Sequence, residues 1–189
     1  MSLQAEIAAC RICADKLAHD PRPVATFSST ARLLIIGQAP GSAVHASGIP
    51  WDDPSGDRLR EWAGIDKATM YDPARVALVP MGFCYPGKGK SGDLPPRPEC
   101  APAWHERVLA ELPCDRLTLL VGSYAQAYYL PDTRKQTLAE RVREFETFLP
   151  VFFPLPHPSW RSTLFMRKNP WFEKDVLPVL KRRIAEAIR

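Results

Sequence analysis

Four short runs of the chain are almost continuously apolar, and the stretches between them are polar with helical spacing. The runs are Arg32–Gly37 (RLLIIG), Val76–Met81 (VALVPM), Leu117–Gly122 (LTLLVG) and Val151–Leu155 (VFFPL). Each is short, unbroken and without alternation, which is the pattern of a strand covered on both faces in a parallel sheet. Ser55–Ile65 (SGDRLREWAGI) opens on a serine suited to cap a helix, with Asp57 in its first turn. Cys100–Leu112 (CAPAWHERVLAEL) places Trp104, Val108 and Leu112 on one helical face, which leaves His105 at the surface. Ser123–Leu130 and Leu138–Phe148 read as two further helices, and a last helix runs from about Pro170 to Arg189 with its proline in the first turn.

Strands alternating with helices predict an α/β fold, a three-layer α/β/α sandwich with a central four-stranded, mostly parallel sheet. The 189 residues suit one domain, 1–189, with no internal repeat and no linker. The segment Pro86–Pro98 (PGKGKSGDLPPRP) is too polar and proline-rich for a regular element and reads as a long surface loop, a common place for function.

Composition adds bounds. A hydrophobic share of 46 % suits a globular chain. No apolar run approaches a membrane span, and Met1–Ala9, which contains Glu6, lacks the apolar stretch of a signal peptide. The expected location is the cytoplasm. A net charge of +4 permits a polyanionic partner without requiring one. The 20 prolines are about twice the usual share. Pro40, Pro80, Pro86, Pro154, Pro156 and Pro158 fall at or near strand ends, where rigid loops can hold a site.

Four groups of residues carry candidate chemistry. Gly37-Gln38-Ala39-Pro40-Gly41 follows the first strand, at the end of a parallel sheet where ligands bind. It lacks the lysine of a phosphate loop, so a third class, a nucleotide-binding protein, is disfavoured, and a plain tight turn is the bland reading. In Gly48–Asp57 (GIPWDDPSGD), Trp51 can stack on an extruded base and Asp53 can hold water or face positive charge. Asp52, next to Trp51, should point away. In Leu155–Arg161 (LPHPSWR), His157 lies between two prolines that restrict its backbone, and its neutral ring can donate to charge on a leaving group; an exposed loop histidine is the alternative. Cys10 and Cys13 form a CxxC pair, with Cys84 and Cys100 later in the chain. Spacing leaves zinc, an iron–sulfur cluster and simple unpaired thiols open. Cys114 reads as a buried, unpaired thiol.

In this order the motifs resemble the uracil-DNA glycosylase superfamily over nearly the whole chain. GQAPG is similar to the first motif of family four, and His157-Pro158-Ser159 to the superfamily's HPS/HPA second motif. Gly48–Asp57 is similar to a family-five segment in which an aromatic residue and an acid precede Ser-Gly-Asp. The four cysteines match the iron–sulfur ligands of families four and five in order and spacing. Three departures mark a divergent member. Gln38 replaces a glutamate, Ala39 stands where family one has its catalytic aspartate, and Pro80 stands where family four has a base-pairing asparagine.

The resemblance implies hydrolysis of the N-glycosidic bond of deoxyuridine, and of other damaged bases in so far as the pocket admits them, by a monomer acting on uracil-containing DNA. It implies a [4Fe–4S] cluster on Cys10, Cys13, Cys84 and Cys100. Asp53 and His157 would be catalytic. Gly37, Gln38, Ala39, Pro40, Gly41 and Trp51 would bind the base, and Ser159, Trp160 and Arg161 the DNA. Lys88, Lys90, Arg97 and Arg167 are candidate phosphate contacts or ordinary solvated charges. The rival is a non-catalytic DNA-binding or damage-sensing module on the same fold, favoured by the missing motif-one carboxylate.

Overall fold

A computed structural model describes residues 2–189. Its strands are β1 Leu33–Ile36, β2 Val76–Leu78, β3 Lys88–Gly89, β4 Gly92–Asp93, β5 Leu117–Val121 and β6 Phe152–Leu155. Its α-helices are α1 Leu3–Ala8, α2 Ser42–Ser47, α3 Pro54–Ala63, α4 Lys67–Met70, α5 Cys100–Glu111, α6 Ser123–Tyr129, α7 Leu138–Arg143, α8 Ser162–Lys168 and α9 Leu177–Ala187. The four apolar runs all form strands of one sheet, ordered β2-β1-β5-β6 and parallel throughout.

Parallel strands need both faces covered, and the side chains divide accordingly. Leu33 and Ile35 of β1 join a core with Leu59 and Trp62 of α3, Val142 of α7, and Leu180 and Ile184 of α9. Leu34 and Ile36 point the other way, to Leu3 and Ile7 of α1, Trp104 and Val108 of α5, and Ala125 of α6. The result is the expected three-layer α/β/α arrangement. All four β1 side chains are fully buried, and each contributes about 1.5–3 kcal/mol relative to exposure.

Several local expectations change. The cap of α3 is Asp53, not Ser55: its carboxylate accepts from the Gly56 N–H at 2.8 Å, and Pro54 takes the first helical position, where its missing N–H costs nothing. Asp57 lies in the first turn and pairs with Arg60. The stretch 138–148 is α7 followed by a 3₁₀ turn, Phe145–Phe148. The last helical stretch starts with a π turn, Phe172–Val176, before α9, and α8 precedes it unforeseen. The 86–98 segment is not irregular throughout, because β3 and β4 pair as an antiparallel hairpin. Cys114 is unpaired as expected but exposed.

His105 is buried at 2 % exposure, not on the surface. Its Nε2 lies 3.0 Å from the Pro80 carbonyl oxygen. A carbonyl only accepts, so Nε2 carries the proton and Nδ1 accepts from the Tyr129 hydroxyl at 2.6 Å. Both ring nitrogens are thereby satisfied, and burial lowers the histidine's pKa.

Candidate active site

The strand order dictates where a ligand can sit. From β1 the chain goes to β2 on one side and later to β5 on the other, so the loops leaving β1 and β5 diverge and open a crevice at the carboxyl ends. The large pocket lies there. Its walls come from residues 37–41 after β1, Pro80 after β2, Ser123 and Tyr124 after β5, and the 156–162 segment after β6.

Trp51 and Asp53 from one motif and His157 from another all line this pocket. So do Gly37, Gln38, Ala39, Pro40 and Gly41, and Ser159, Trp160 and Arg161. Trp51 has φ +57°, a left-handed conformation that a bulky residue rarely adopts. Two glycines accommodate it. A Cβ on Gly37 would come within 2.6 Å of the indole, and a Cβ on Gly56 within 1.8 Å of the Trp51 carbonyl oxygen. The indole therefore rests on bare backbone at the end of β1. Its ring centroid lies 5.8 Å from that of His157, tilted by 30°. Asp52 does not line the pocket and pairs with Lys67 at 3.5 Å.

His157 sits half-buried beside Gly122, whose φ of +90° makes the turn out of β5. Burial lowers the imidazole's pKa, opposed by the nearby carboxylates of Asp53 and then Asp93. The ring is neutral at pH 7 and can donate from one nitrogen. Its loop is anchored by Arg58 of α3, whose Nη1 donates to the Ser159 carbonyl at 2.7 Å and to Ser162 Oγ at 2.8 Å. Arg161 Nη2 donates to the Ser91 carbonyl at 2.7 Å, joining the same loop to the hairpin. Trp160 is 77 % exposed, the most exposed large apolar side chain among the described residues, with the Arg161 guanidinium 5.3 Å from its ring.

Among the pocket residues that the sequence did not nominate, two carry ionisable side chains. Asp93 belongs to the hairpin, and Tyr124 is 40 % exposed in the first turn of α6. Neither carries a local motif. The strand-end position of Tyr124, two residues past Gly122, was the one available hint. Pro80 offers no side-chain donor, and its carbonyl is taken by His105.

Elsewhere, Cys10, Cys13, Cys84 and Cys100 line one cavity with Pro21, Pro23, Phe83 and Trp104. No three His, Cys, Asp or Glu side chains among the described residues are grouped to hold one metal ion. The Phe83 N–H donates to Cys100 Sγ at 3.2 Å. Burial pushes Cys84 up to about 11 and Cys100 up to about 12. Arg97 and Lys16 pair with Glu99 beside Cys13, at 2.8 and 2.6 Å. No helix among the described residues is long and apolar enough to cross a membrane.

A family model described as Uracil DNA glycosylase superfamily matches residues 24–181, which include both loops that carry Trp51 and His157.

Proposed function

The chain belongs to the uracil-DNA glycosylase superfamily, a membership that carries DNA glycosylase chemistry in DNA repair, and we propose that it hydrolyses the N-glycosidic bond of deoxyuridine as a monofunctional enzyme. The supporting observation is the meeting of Trp51 and Asp53 with His157 in one pocket, from two segments about a hundred residues apart in sequence.

The flipped nucleotide enters the crevice, and its base stacks on the Trp51 indole. The main chain of Gln38 and Ala39 contacts the base or a water. As the bond breaks, negative charge builds on the base and positive charge on the sugar. The neutral ring of His157 donates to the base oxygen, an interaction that strengthens only as charge develops. The Asp53 carboxylate, fixed by Gly56, faces the sugar. Trp160 fills the gap in the duplex, and Lys88 and Lys90 on the hairpin neutralise phosphates.

The reading of the four thiols as ligands of a [4Fe–4S] cluster is supported by their lining one cavity without three of them being grouped about a single point, since each thiolate of a cluster caps a different iron. Cys10, Cys13, Cys84 and Cys100 would hold it, with Phe83 N–H supporting the Cys100 sulfur. When bound, the group supplies structural cross-linking rather than redox chemistry. It would tie the segment after α1 to the segment that bears the hairpin.

Incubation with a uracil-containing oligonucleotide, followed by alkaline cleavage at abasic sites, tests the assignment. Scission at uracil is expected. An intact strand at high enzyme concentration would exclude uracil excision and favour the damage-sensing alternative.

A further inference from the structure

Two carboxylates share the pocket with His157 and act on its charge. Besides Asp53, the hairpin brings Asp93 into the pocket. Gln38 Nε2 donates to the Leu94 carbonyl at 3.5 Å, and Arg161 donates to the Ser91 carbonyl. The hairpin is thus tied to both motif loops and forms a wall of the pocket. Asp93 Oδ1 lies 3.5 Å from the Tyr85 hydroxyl, which donates to it. Its Oδ2 would lie 3.5 Å from a Cβ on Gly41, so it packs against the second glycine of the 37–41 loop.

The two acids differ in what already holds them. Asp53 has an oxygen committed to the Gly56 N–H and sits at the N-terminus of the ten-residue α3, where a negative charge is stabilised. That suits a carboxylate fixed in place opposite a cationic sugar. Asp93 has no backbone donor and no ion-pair partner among the described residues. It is exposed, so water reaches it and a captured proton has a way out.

We propose that Asp93 is the general base that takes a proton from the attacking water, while Asp53 holds the charge of the sugar. The inference rests on the glycosylase reading of this pocket. In the step, the bond from C1′ to the base nitrogen breaks and its electron pair leaves with the base. The water oxygen bonds to C1′, and one water proton passes to the Asp93 carboxylate and then to solvent. The anionic base, held by His157, takes a proton from solvent on release. This supplies the water-directed carboxylate that Ala39 in motif one lacks.

The test is single-turnover uracil excision by wild type, Asp93→Asn and Asp93→Ala, with DNA affinity measured in parallel and formate added to the alanine variant. Asp93→Asn should slow excision by about 10²-fold or more, the usual contribution of a positioned base. Its DNA affinity should be unchanged or tighter, because a negative charge near phosphates is removed. Formate should restore part of the rate of Asp93→Ala by replacing the carboxylate. Wild-type rates in Asp93→Asn overturn this inference and leave the proposed function standing. No excision by wild type overturns both. A loss of rate matched by an equal loss of affinity, without response to formate, would make Asp93 a binding residue and overturn it too.

Discussion

The guanidinium of Arg58 donates to the carbonyl oxygen of Ser159 across 2.7 Å, so the helix capped by Asp53 is tied directly to the loop carrying His157. The same nitrogen reaches Ser162 Oγ at 2.8 Å. Hydrogen bonds from a charged donor contribute about 1.5–3 kcal/mol each. Arg58→Ala should therefore loosen the loop and leave the Ser159 carbonyl to water. We expect excision to slow by about 10-fold or more through misplacement of His157, with the fold retained. Circular dichroism and single-turnover rates measure the two effects separately. An unaltered rate would show that the loop holds itself.

His157→Ala should lower the single-turnover rate by about 10²–10³-fold, the loss typical of one preorganised donor. Binding to uncut DNA should change little, since the interaction grows with charge on the base. If affinity falls as far as the rate, His157 only positions the substrate.

How far the site could be read in advance depends on how local its determinants are. The strands were legible because burial on both faces writes itself as unbroken apolar runs. Trp51 and His157 were legible because prolines lie within a few residues of each, Pro50 and Pro54 about Trp51 and Pro156 and Pro158 about His157. Asp93 was not. Gly-Lys-Gly-Lys-Ser-Gly-Asp has no alternation to announce a hairpin, and the ties that place it come from Gln38 and Arg161. His105 was misplaced for the same reason. Its partners, Tyr129 and Pro80, are brought to it only by the fold. Helices as short as α1, α2 and α8 show too few turns for a clear period.

Acid should destabilise the protein before its carboxylates titrate. Burial lowers the pKa of His45, His105 and His157 in the folded state. In the unfolded chain each takes a proton near the usual value of about 6.5. Below that pH the unfolded state binds protons that the folded state refuses. Stability is therefore full above about pH 6.5 and declines as pH falls toward the lowered folded values. Asp66, Glu99 and Glu140, whose pKa values are also lowered by hydrogen bonds, add losses only at more acid pH. Urea midpoints at about pH 7.5 and about pH 5.5 should show the drop, and equal midpoints would contradict neutral burial of these rings.

Protein purified without oxygen should be brown and contain about four irons per chain if the four cysteines hold a cluster. Cys10→Ser should lower stability more than it alters the excision rate per folded molecule, because the cluster cross-links rather than reacts. Zinc without iron in the same preparation would refute the cluster.

DNA affinity should depend on salt. If Lys88, Lys90 and their neighbours neutralise about 3–5 phosphates, log K falls with log salt at a slope near −3 to −5. Replacing both lysines with glutamine should reduce that slope by about two, uniformly across sequences. A slope near zero would point to a ligand other than a polyanion.

Asp53 carries two duties that substitutions can separate. Its carboxylate caps α3 through the Gly56 N–H and also shares the pocket with His157 and acts on its charge. Asparagine caps helices about as well as aspartate, whereas alanine loses about 1 kcal/mol. Asp53→Asn should thus keep the fold and its place beside Trp51 but remove the charge opposite the sugar. A loss of about 10²-fold in single-turnover excision is expected. Asp53→Ala should lose the same rate and in addition show a lower unfolding midpoint. Asp52 serves as the control, since it pairs with Lys67 outside the pocket; Asp52→Asn should be mild. Were Asp53→Asn to excise at the wild-type rate while Asp53→Ala is unstable, the residue would be a helix cap alone. The positive charge of the sugar would then have to be met by another group in the pocket, of which Asp93 is the remaining carboxylate.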